Sequence, residues 1–115
     1  MILTEKCKDD FNQWFKNEHI KSESESSAKL RAQFSHLPTN YQFGIYGEFF
    51  KSNGIRIKIE TLMGMGDKFL STQGYRYYLM YNGESLPKSE ILKDRDTIKQ
   101  NGVSAANTLY NNELT

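Results

Sequence analysis

The sequence predicts a single α+β domain, in which a small antiparallel sheet of two or three strands packs against helices. Two stretches alternate in the manner of strands. Ile55 to Leu62 alternates isoleucines with charged residues, and Tyr75 to Tyr81 alternates in the same way. Helical signals precede and follow them within residues 37–115. The predicted core is therefore helix, strand, strand, helix, and a further helix precedes it.

The N-terminal helix is predicted by a run of apolar residues on one helical face. The residues of that face are Cys7, Phe11, Trp14 and Phe15. Thr4 is expected to be the N-cap, and Phe11, Trp14 and Phe15 are expected to pack on the rest of the domain. The segment Lys21–Ser27 contains only Lys, Glu and Ser, so it has nothing to bury and is predicted to be a mobile polar linker.

The helix before the first strand has its own start and stop signals. Thr39 and Gln42 have the spacing of a capping box. Gly54 is placed to end the helix in a left-handed backbone conformation. Gly44 and Gly47 each weaken a helix by up to about 1 kcal/mol relative to alanine, so they predict a close approach by another element.

Turn and cap residues divide the remainder of the chain. The glycines of 64–67 are expected to end the first strand, and Asn82–Gly83 predicts a tight turn. Pro87 restricts any third strand to an edge. Asp94 is the expected N-cap of the last helix, where small residues such as Gly102 predict close packing against the sheet.

Composition narrows the class of protein. The formal net charge is +1 and the estimated pI is about 7.8, whereas duplex-binding domains often have a pI above about 9. The single cysteine rules out an internal disulfide and is typical of a reducing cytosol. No apolar run approaches the roughly 20 residues that span a bilayer, and the first residues do not resemble a signal peptide. We therefore expect a cytoplasmic protein without a membrane partner.

No residue pattern predicts catalysis, a metal or a cofactor. His19 and His36 are the only histidines, and neither has Cys, Asp or Glu neighbours at metal-ligand spacing. Gly64-x-Gly66 lacks the Gly-Lys-Ser/Thr ending of a phosphate-binding loop. We interpret the chain as a binding protein rather than an enzyme.

The aromatic second strand carries the candidate binding surface. Tyr75, Tyr77, Leu79 and Tyr81 share one face, which leaves Tyr78 on the other. The candidate partner-binding residues are Arg56, Lys58, Met65, Arg76, Tyr78 and Met80. Tyr, Met and Arg are enriched in protein interfaces, and exposed aromatics beside arginine also suit base stacking. The alternative is that the N-terminal helix covers this face and makes it part of the core.

Three motifs resemble those of a group of small uncharacterised bacteriophage and prophage proteins. They are Leu37-Pro38-x-x-x-Gln42-x-Gly44, Phe49-Phe50-x-Ser52-x-Gly54 and Ala105-Ala106-Asn107-x-Leu109-Tyr110-Asn111-Asn112. In that group the last helix commonly begins with a Thr-Arg-x-Glu-Ala cap, where this chain has Asp94-Arg95-Asp96-Thr97-Ile98. The resemblance covers the chain from Leu37 onward and carries no site residues. It implies a phage origin and a bacterial host cytoplasm.

From that origin we expect a non-catalytic protein that inhibits or redirects a host protein or ribonucleoprotein complex. The sharpest form of this expectation is an anti-defence inhibitor of the anti-CRISPR type, acting by occlusion. The order helix, strands, helix also resembles the double-stranded-RNA-binding domain, and a nucleic-acid-binding module is therefore the alternative function. That family has lysines at the start of its last helix, where this chain has Asp94 and Asp96.

Overall fold

The computed structural model describes residues 3–19, 34–65 and 70–114, without the side chains of residues 18, 19, 35 and 64–73. Its elements are helix α1 (Glu5–His19), a 3₁₀ turn (Phe34–His36), helix α2 (Thr39–Ser52), strands β1 (Ile55–Met65), β2 (Leu70–Tyr81) and β3 (Glu84–Ser85), and helix α3 (Arg95–Glu113). The predicted α+β fold, with its helix–strand–strand–helix core and additional N-terminal helix, is confirmed. The predicted linker Lys21–Ser27 lies outside the described residues.

The three strands form one antiparallel sheet in the order β1-β2-β3. Both long strands extend further than the sequence predicts, because pairing continues past Gly64 to Met65. The register shifts between Leu62, which pairs with Gly74, and Met63, which pairs with Thr72. Such a bulge takes up one extra residue without ending the ladder. β1 ends at Met65, within the stretch 64–67 that was expected to end it, and Gly64 still takes part in the pairing.

The predicted tight turn joins β2 to β3. Asn82 and Gly83 have φ angles of 52° and 82°, and two positive φ angles define the type I′ turn favoured in two-residue hairpins. β3 is only two residues long and lies at the edge of the sheet, as Pro87 predicts. The chain then stays beside β2, because the Ser89 N–H donates to Tyr77 O at 2.8 Å.

Helices α2 and α3 cover one side of the sheet. The side chains of Ile55, Ile57, Tyr77, Leu79 and Tyr81 are on this side and belong to the core or pack against it. We call it the inner face. Gly102 allows α3 to lie close to it, since a Cβ atom there would be 2.9 Å from Ile57 Cγ2. The predicted close packing of the last helix on the sheet is confirmed.

The glycines of α2 do not have the predicted role. A Cβ atom at Gly44 or Gly47 would meet nothing within 4 Å, so the expectation of close approach at these positions is wrong. The predicted capping box is also wrong, since the N-cap is Pro38 and has no side-chain hydrogen bond. Gln42 instead donates through Nε2 to Leu37 O at 2.8 Å. Gly54 does end α2, with a φ of 82°.

Helix α1 packs against α2 and α3 through aromatic rings. Phe11 and Phe15 are buried as predicted, with 5% and 4% of their surfaces exposed. The Phe11 ring lies 4.9 Å from the Tyr46 ring and 5.4 Å from the Phe49 ring, between centroids. Trp14 is only partly buried, at the margin of this cluster, 5.6 Å from Phe49.

Two asparagines of α3 hold the first turn of α1. The Cys7 N–H donates to Asn111 Oδ1 at 2.9 Å, and the Thr4 N–H donates to Asn107 Oδ1 at 2.9 Å. In return, Asn107 Nδ2 donates to Thr4 Oγ1 at 3.0 Å. Cys7 is the residue whose N–H a Thr4 cap would satisfy. The predicted capping role of Thr4 is thus filled by Asn111, from a helix about a hundred residues away.

A third contact joins the same two helices one turn further on. The Tyr110 hydroxyl donates to Asp10 Oδ2 at 2.6 Å, and Lys6 Nζ lies 3.3 Å from Asp10 Oδ1. The hydrogen bond from Tyr110, and secondarily Lys6, lower the pKa of the Asp10 carboxyl below its ordinary value. We call the contacts of Thr4, Cys7 and Asp10 with Asn107, Tyr110 and Asn111 the α1–α3 clamp.

The clamp predicts a specific pH response. The folded-state pKa of Asp10 is lowered, so its contribution to stability is present above the unfolded pKa and is lost as the pH falls through the folded value. In an NMR titration, we expect Tyr110→Phe to raise the Asp10 pKa towards normal by more than Lys6→Gln does. An Asp10 pKa that is unchanged in Tyr110→Phe would show that the hydroxyl does not bind this carboxylate.

A pair of glycine substitutions tests where α3 lies. Gly44→Ala and Gly102→Ala both gain up to about 1 kcal/mol of helix propensity, but only the second places a methyl group against Ile57. Overpacking of this kind costs about 1–3 kcal/mol. In urea denaturation we expect Gly44→Ala to raise the free energy of unfolding. The free energy of unfolding of Gly102→Ala should be lower than that of Gly44→Ala by about 1–3 kcal/mol, the cost of overpacking. Equal stabilisation by both would mean that α3 does not approach the sheet at Gly102.

Candidate interaction face of the sheet

The candidate residues gather on the side of the sheet opposite the helices, which we call the outer face. The register places Arg56 opposite Met80, Lys58 opposite Tyr78, and Glu60 opposite Arg76. The structure therefore brings together five of the six candidates, Arg56, Lys58, Arg76, Tyr78 and Met80. The sixth, Met65, ends β1, and its side chain lies outside the described part of the protein.

Helix α1 does not cover this face. Its contacts are with α2 and α3, and its buried side chains belong to the aromatic cluster on the helical side of the sheet. The alternative that the N-terminal helix makes the outer face part of the core is therefore wrong. Arg56 is exposed, and Lys58, Arg76, Tyr78 and Met80 are half-buried.

Two residues that the sequence analysis did not select organise the centre of the outer face. Glu60 Oε2 accepts from Arg76 Nε at 2.6 Å, and Glu60 Oε1 accepts from Lys88 Nζ at 3.0 Å. Lys88 Nζ also lies 5.4 Å from the centroid of the Tyr78 ring, within the range of a cation–π contact. The hydrogen bond from Arg76, and to a smaller extent that from Lys88, lowers the pKa of the Glu60 carboxyl below its ordinary value.

These contacts divide the basic side chains of the outer face into two groups. Arg76 and Lys88 share the carboxylate of Glu60. The side chains of Arg56 and Lys58 form neither a hydrogen bond nor an ion pair within residues 3–19, 34–65 and 70–114. Among the described residues, four basic side chains thus share the face with one acidic side chain, Glu60, which gives the face an excess of positive charge.

An open cleft extends the outer face at the end of β1 nearest α2. Lys51 and Arg56 line it together with Met80 and the turn residues Asn82 and Gly83. The cleft adds a third basic side chain without an acidic neighbour among its lining residues. The positive surface therefore continues from the sheet onto the end of α2.

The cysteine and the histidines, which are the other side chains capable of catalysis or metal binding, form no site among the described residues. Cys7 is buried, and burial raises the pKa of its thiol to about 12, so it is a neutral thiol near pH 7 and a poor nucleophile. His36 is exposed, and the side chain of His19 lies outside the described residues. Across the described ranges, no three His, Cys, Asp or Glu side chains form a cluster able to hold a metal ion.

Asp94 caps the amino end of α3. Its Oδ1 accepts from the Asp96 N–H at 3.1 Å, and its Oδ2 accepts from the Thr97 hydroxyl at 2.6 Å. The bond from Thr97, followed by that from Asp96, lowers the Asp94 pKa. The Asp94 carboxylate therefore binds a free N–H group at the amino end of α3, and its negative charge would repel a phosphate there.

Comparison of the chain with protein-family models, curated proteins and solved structures gave no significant match. Among the described helices, none combines the length and apolar character required to cross a membrane.

The Glu60 contacts can be tested by titration. We expect Arg76→Gln to raise the Glu60 pKa towards normal by more than Lys88→Gln does, because the bond from Arg76 is the shorter and the stronger influence. Side-chain carboxyl NMR against pH measures both shifts. If neither variant moved the Glu60 pKa, this carboxylate would not hold the two cations, and all four would be available to a ligand.

Proposed function

We propose that this chain is a non-catalytic binding protein whose outer face docks onto a partner protein. The observation that supports this is the composition of the outer face, which none of the described helices covers. Arg56 and Lys58 lie beside Tyr78 and Met80, which combines unpaired positive charge with adaptable apolar surface. Tyr, Met and Arg are the residue types enriched in protein interfaces, and Met adapts its shape to irregular partner surfaces.

The contacts around Tyr78 favour a protein partner over a nucleic acid. One side of the Tyr78 ring faces Lys88, so a base that stacked on that side would displace the lysine. Arg76 and Lys88 are bound to Glu60, and a phosphate would have to compete with that carboxylate. A protein partner with acidic side chains can instead bind Arg56 and Lys58 and leave the Glu60 contacts intact.

The sharper form of the proposal is an inhibitor encoded by a phage, of the anti-defence type, that acts by occlusion. Its support is the resemblance of the sequence motifs to small phage proteins. In this form, the partner is a protein or ribonucleoprotein complex of the bacterial host, and the outer face covers the surface by which that complex acts. No chemical step by this chain is required.

A nucleic-acid-binding module is the second candidate. It is supported by the element order α2-β1-β2-β3-α3, with the helices on one side of the sheet, and by the excess of basic side chains on the outer face. The carboxylates of Asp94 and Asp96 at the start of α3 oppose it, since phosphate contacts depend on positive charge.

A charge-reversal experiment tests the proposal. We expect Arg56→Glu/Lys58→Glu to weaken capture of the partner from bacterial host lysate by about tenfold or more, since both positive side chains at the contact become repulsive. Nuclease treatment should not change capture by the wild type. The control is Lys8→Glu/Arg95→Glu, which changes the net charge equally at exposed positions on helices α1 and α3 and should capture like the wild type.

Two results would contradict the proposal. Equal capture by the outer-face variant and the control variant would place the binding surface elsewhere. Tight binding of an RNA or DNA duplex at physiological salt, lost in Arg56→Glu/Arg76→Glu, would favour the second candidate.

A further inference from the structure

Strand β1 forms an open edge of the sheet. The strand order is β1-β2-β3, so β1 pairs with β2 on one side, and on its other side no strand pairs with it within the described residues. β1 is 11 residues long, compared with about 5–6 for an average strand. Long exposed edges offer unpaired backbone groups to a second chain.

The backbone contacts of β2 show which groups of β1 point to this edge. Tyr75 and Tyr77 direct both N–H and C=O towards the chain that follows β3, through bonds of 2.7 to 2.9 Å. In an antiparallel ladder, alternate residues bond to opposite sides. Arg76, Tyr78 and Met80 therefore bond to β1. Their register partners Glu60, Lys58 and Arg56 point back to β2.

The groups that face outward from β1 are thus the N–H and C=O of Ile57, Ile59 and Thr61. None of these three residues has a hydrogen bond to any other part of the described structure. Their side chains are on the inner face, where Ile57 is half-buried against the core and Ile59 lies outside the core cluster. The edge therefore offers backbone donors and acceptors next to a partly uncovered apolar strip.

From this arrangement we infer that β1 binds an extended acidic segment of the partner protein as an additional, fourth strand of the sheet. This inference rests on the proposed function and names the structure that the partner contributes. Bound in this way, alternate residues of the segment lie on opposite faces of the sheet. Those on the outer face meet Arg56 and Lys58, and those on the inner face meet Ile57 and Ile59.

Charge decides the chemistry of the bound segment. On the outer face of β1, Arg56 and Lys58 are unpaired, and Glu60 is already shared by Arg76 and Lys88. A segment that alternates Asp or Glu with apolar residues places opposite charges across the strand pair, which stabilises the pairing. A second copy of this chain would bring the same excess of positive charge to the edge, which opposes self-pairing.

A defined peptide tests the inference. The probe is the acetylated and amidated heptapeptide Glu-Val-Glu-Val-Glu-Val-Glu, and the control probe has Lys in place of each Glu. We expect the acidic peptide to bind, with NMR shifts of the Ile57, Ile59 and Thr61 amides, and the basic peptide to bind at least tenfold more weakly. N-methylation of the peptide residues whose N–H groups face β1 should abolish binding. N-methylation of the intervening residues, whose N–H groups face away from β1, should leave binding unchanged.

Substitutions in β1 separate the edge from the outer face. Ile59→Pro removes an outward N–H while leaving every ladder bond to β2 and every charge of the outer face in place, and we expect at least a tenfold loss of peptide affinity. Thr61→Pro is the second variant, in case Ile59→Pro lowers the melting temperature. Arg56→Glu/Lys58→Glu should also lose the peptide, because the charges become repulsive.

The outcomes distinguish the two proposals. Normal binding of the acidic peptide by both folded proline variants, together with loss in Arg56→Glu/Lys58→Glu, would overturn strand addition and leave the outer-face proposal intact. Equal binding of acidic and basic peptides, or of neither, would overturn the inference. A dimer in sedimentation that is lost in Ile59→Pro would assign the edge to a second copy of the chain and overturn it as well.

Discussion

Helix α3 contacts both the sheet and helix α1. At Gly102 the helix approaches the sheet so closely that a methyl group would press on Ile57. On another side of the same helix, Asn107 and Asn111 bind the first turn of α1. Helix α3 therefore fixes its own position on the sheet and also the position of α1. The unsatisfied N–H groups that any helix start presents become, for α1, a means of attachment to α3.

This arrangement packs the helices on a single side of the sheet. Phe11, Phe49 and Phe50 are buried among the helices and the inner face, so the apolar residues of α1 are used there and not on the outer face. The outer face consequently keeps a surface of arginine, lysine, tyrosine and methionine. β1 lies at the margin of the sheet, and no other strand among the described residues pairs with its outward backbone groups. Face and edge are thus two consequences of the same one-sided packing.

Local features were predictable because the chemistry that produces them lies within a few residues. The Asn82–Gly83 turn, the Asp94 cap and the Gly54 helix end all depend on the conformational preferences of the residues themselves. Features that depend on a distant neighbour were predicted with mixed success: close approach was expected at Gly44, Gly47 and Gly102, and of these three only Gly102 shows it. Gly44 and Gly102 look alike in the sequence, but only Gly102 faces the sheet, and no local pattern reveals what lies opposite a glycine.

The candidate site shows the same division. Strand alternation was enough to place Arg56, Lys58, Arg76, Tyr78 and Met80 on one face. Alternation also placed Glu60 on this face. Its bonds to Arg76 and Lys88 could not be predicted, because they depend on the strand register and on the path of an irregular segment after Pro87. The capping of α1 by Asn111 could not be predicted from the sequence near α1, because Thr4 stands at the N-cap position and is itself a residue type that caps helices. Sequence could indicate which residues share the face, but not which of them already have partners.

Amide hydrogen exchange along β1 of the protein alone shows whether the outward edge of this strand is free of a pairing strand. We expect an alternating pattern. The amides of Arg56, Lys58 and Glu60, bonded to β2, exchange slowly, whereas those of Ile57, Ile59 and Thr61 exchange at least about tenfold faster. Uniformly slow exchange along the strand would contradict the account, because it would mean that the edge of β1 is already covered.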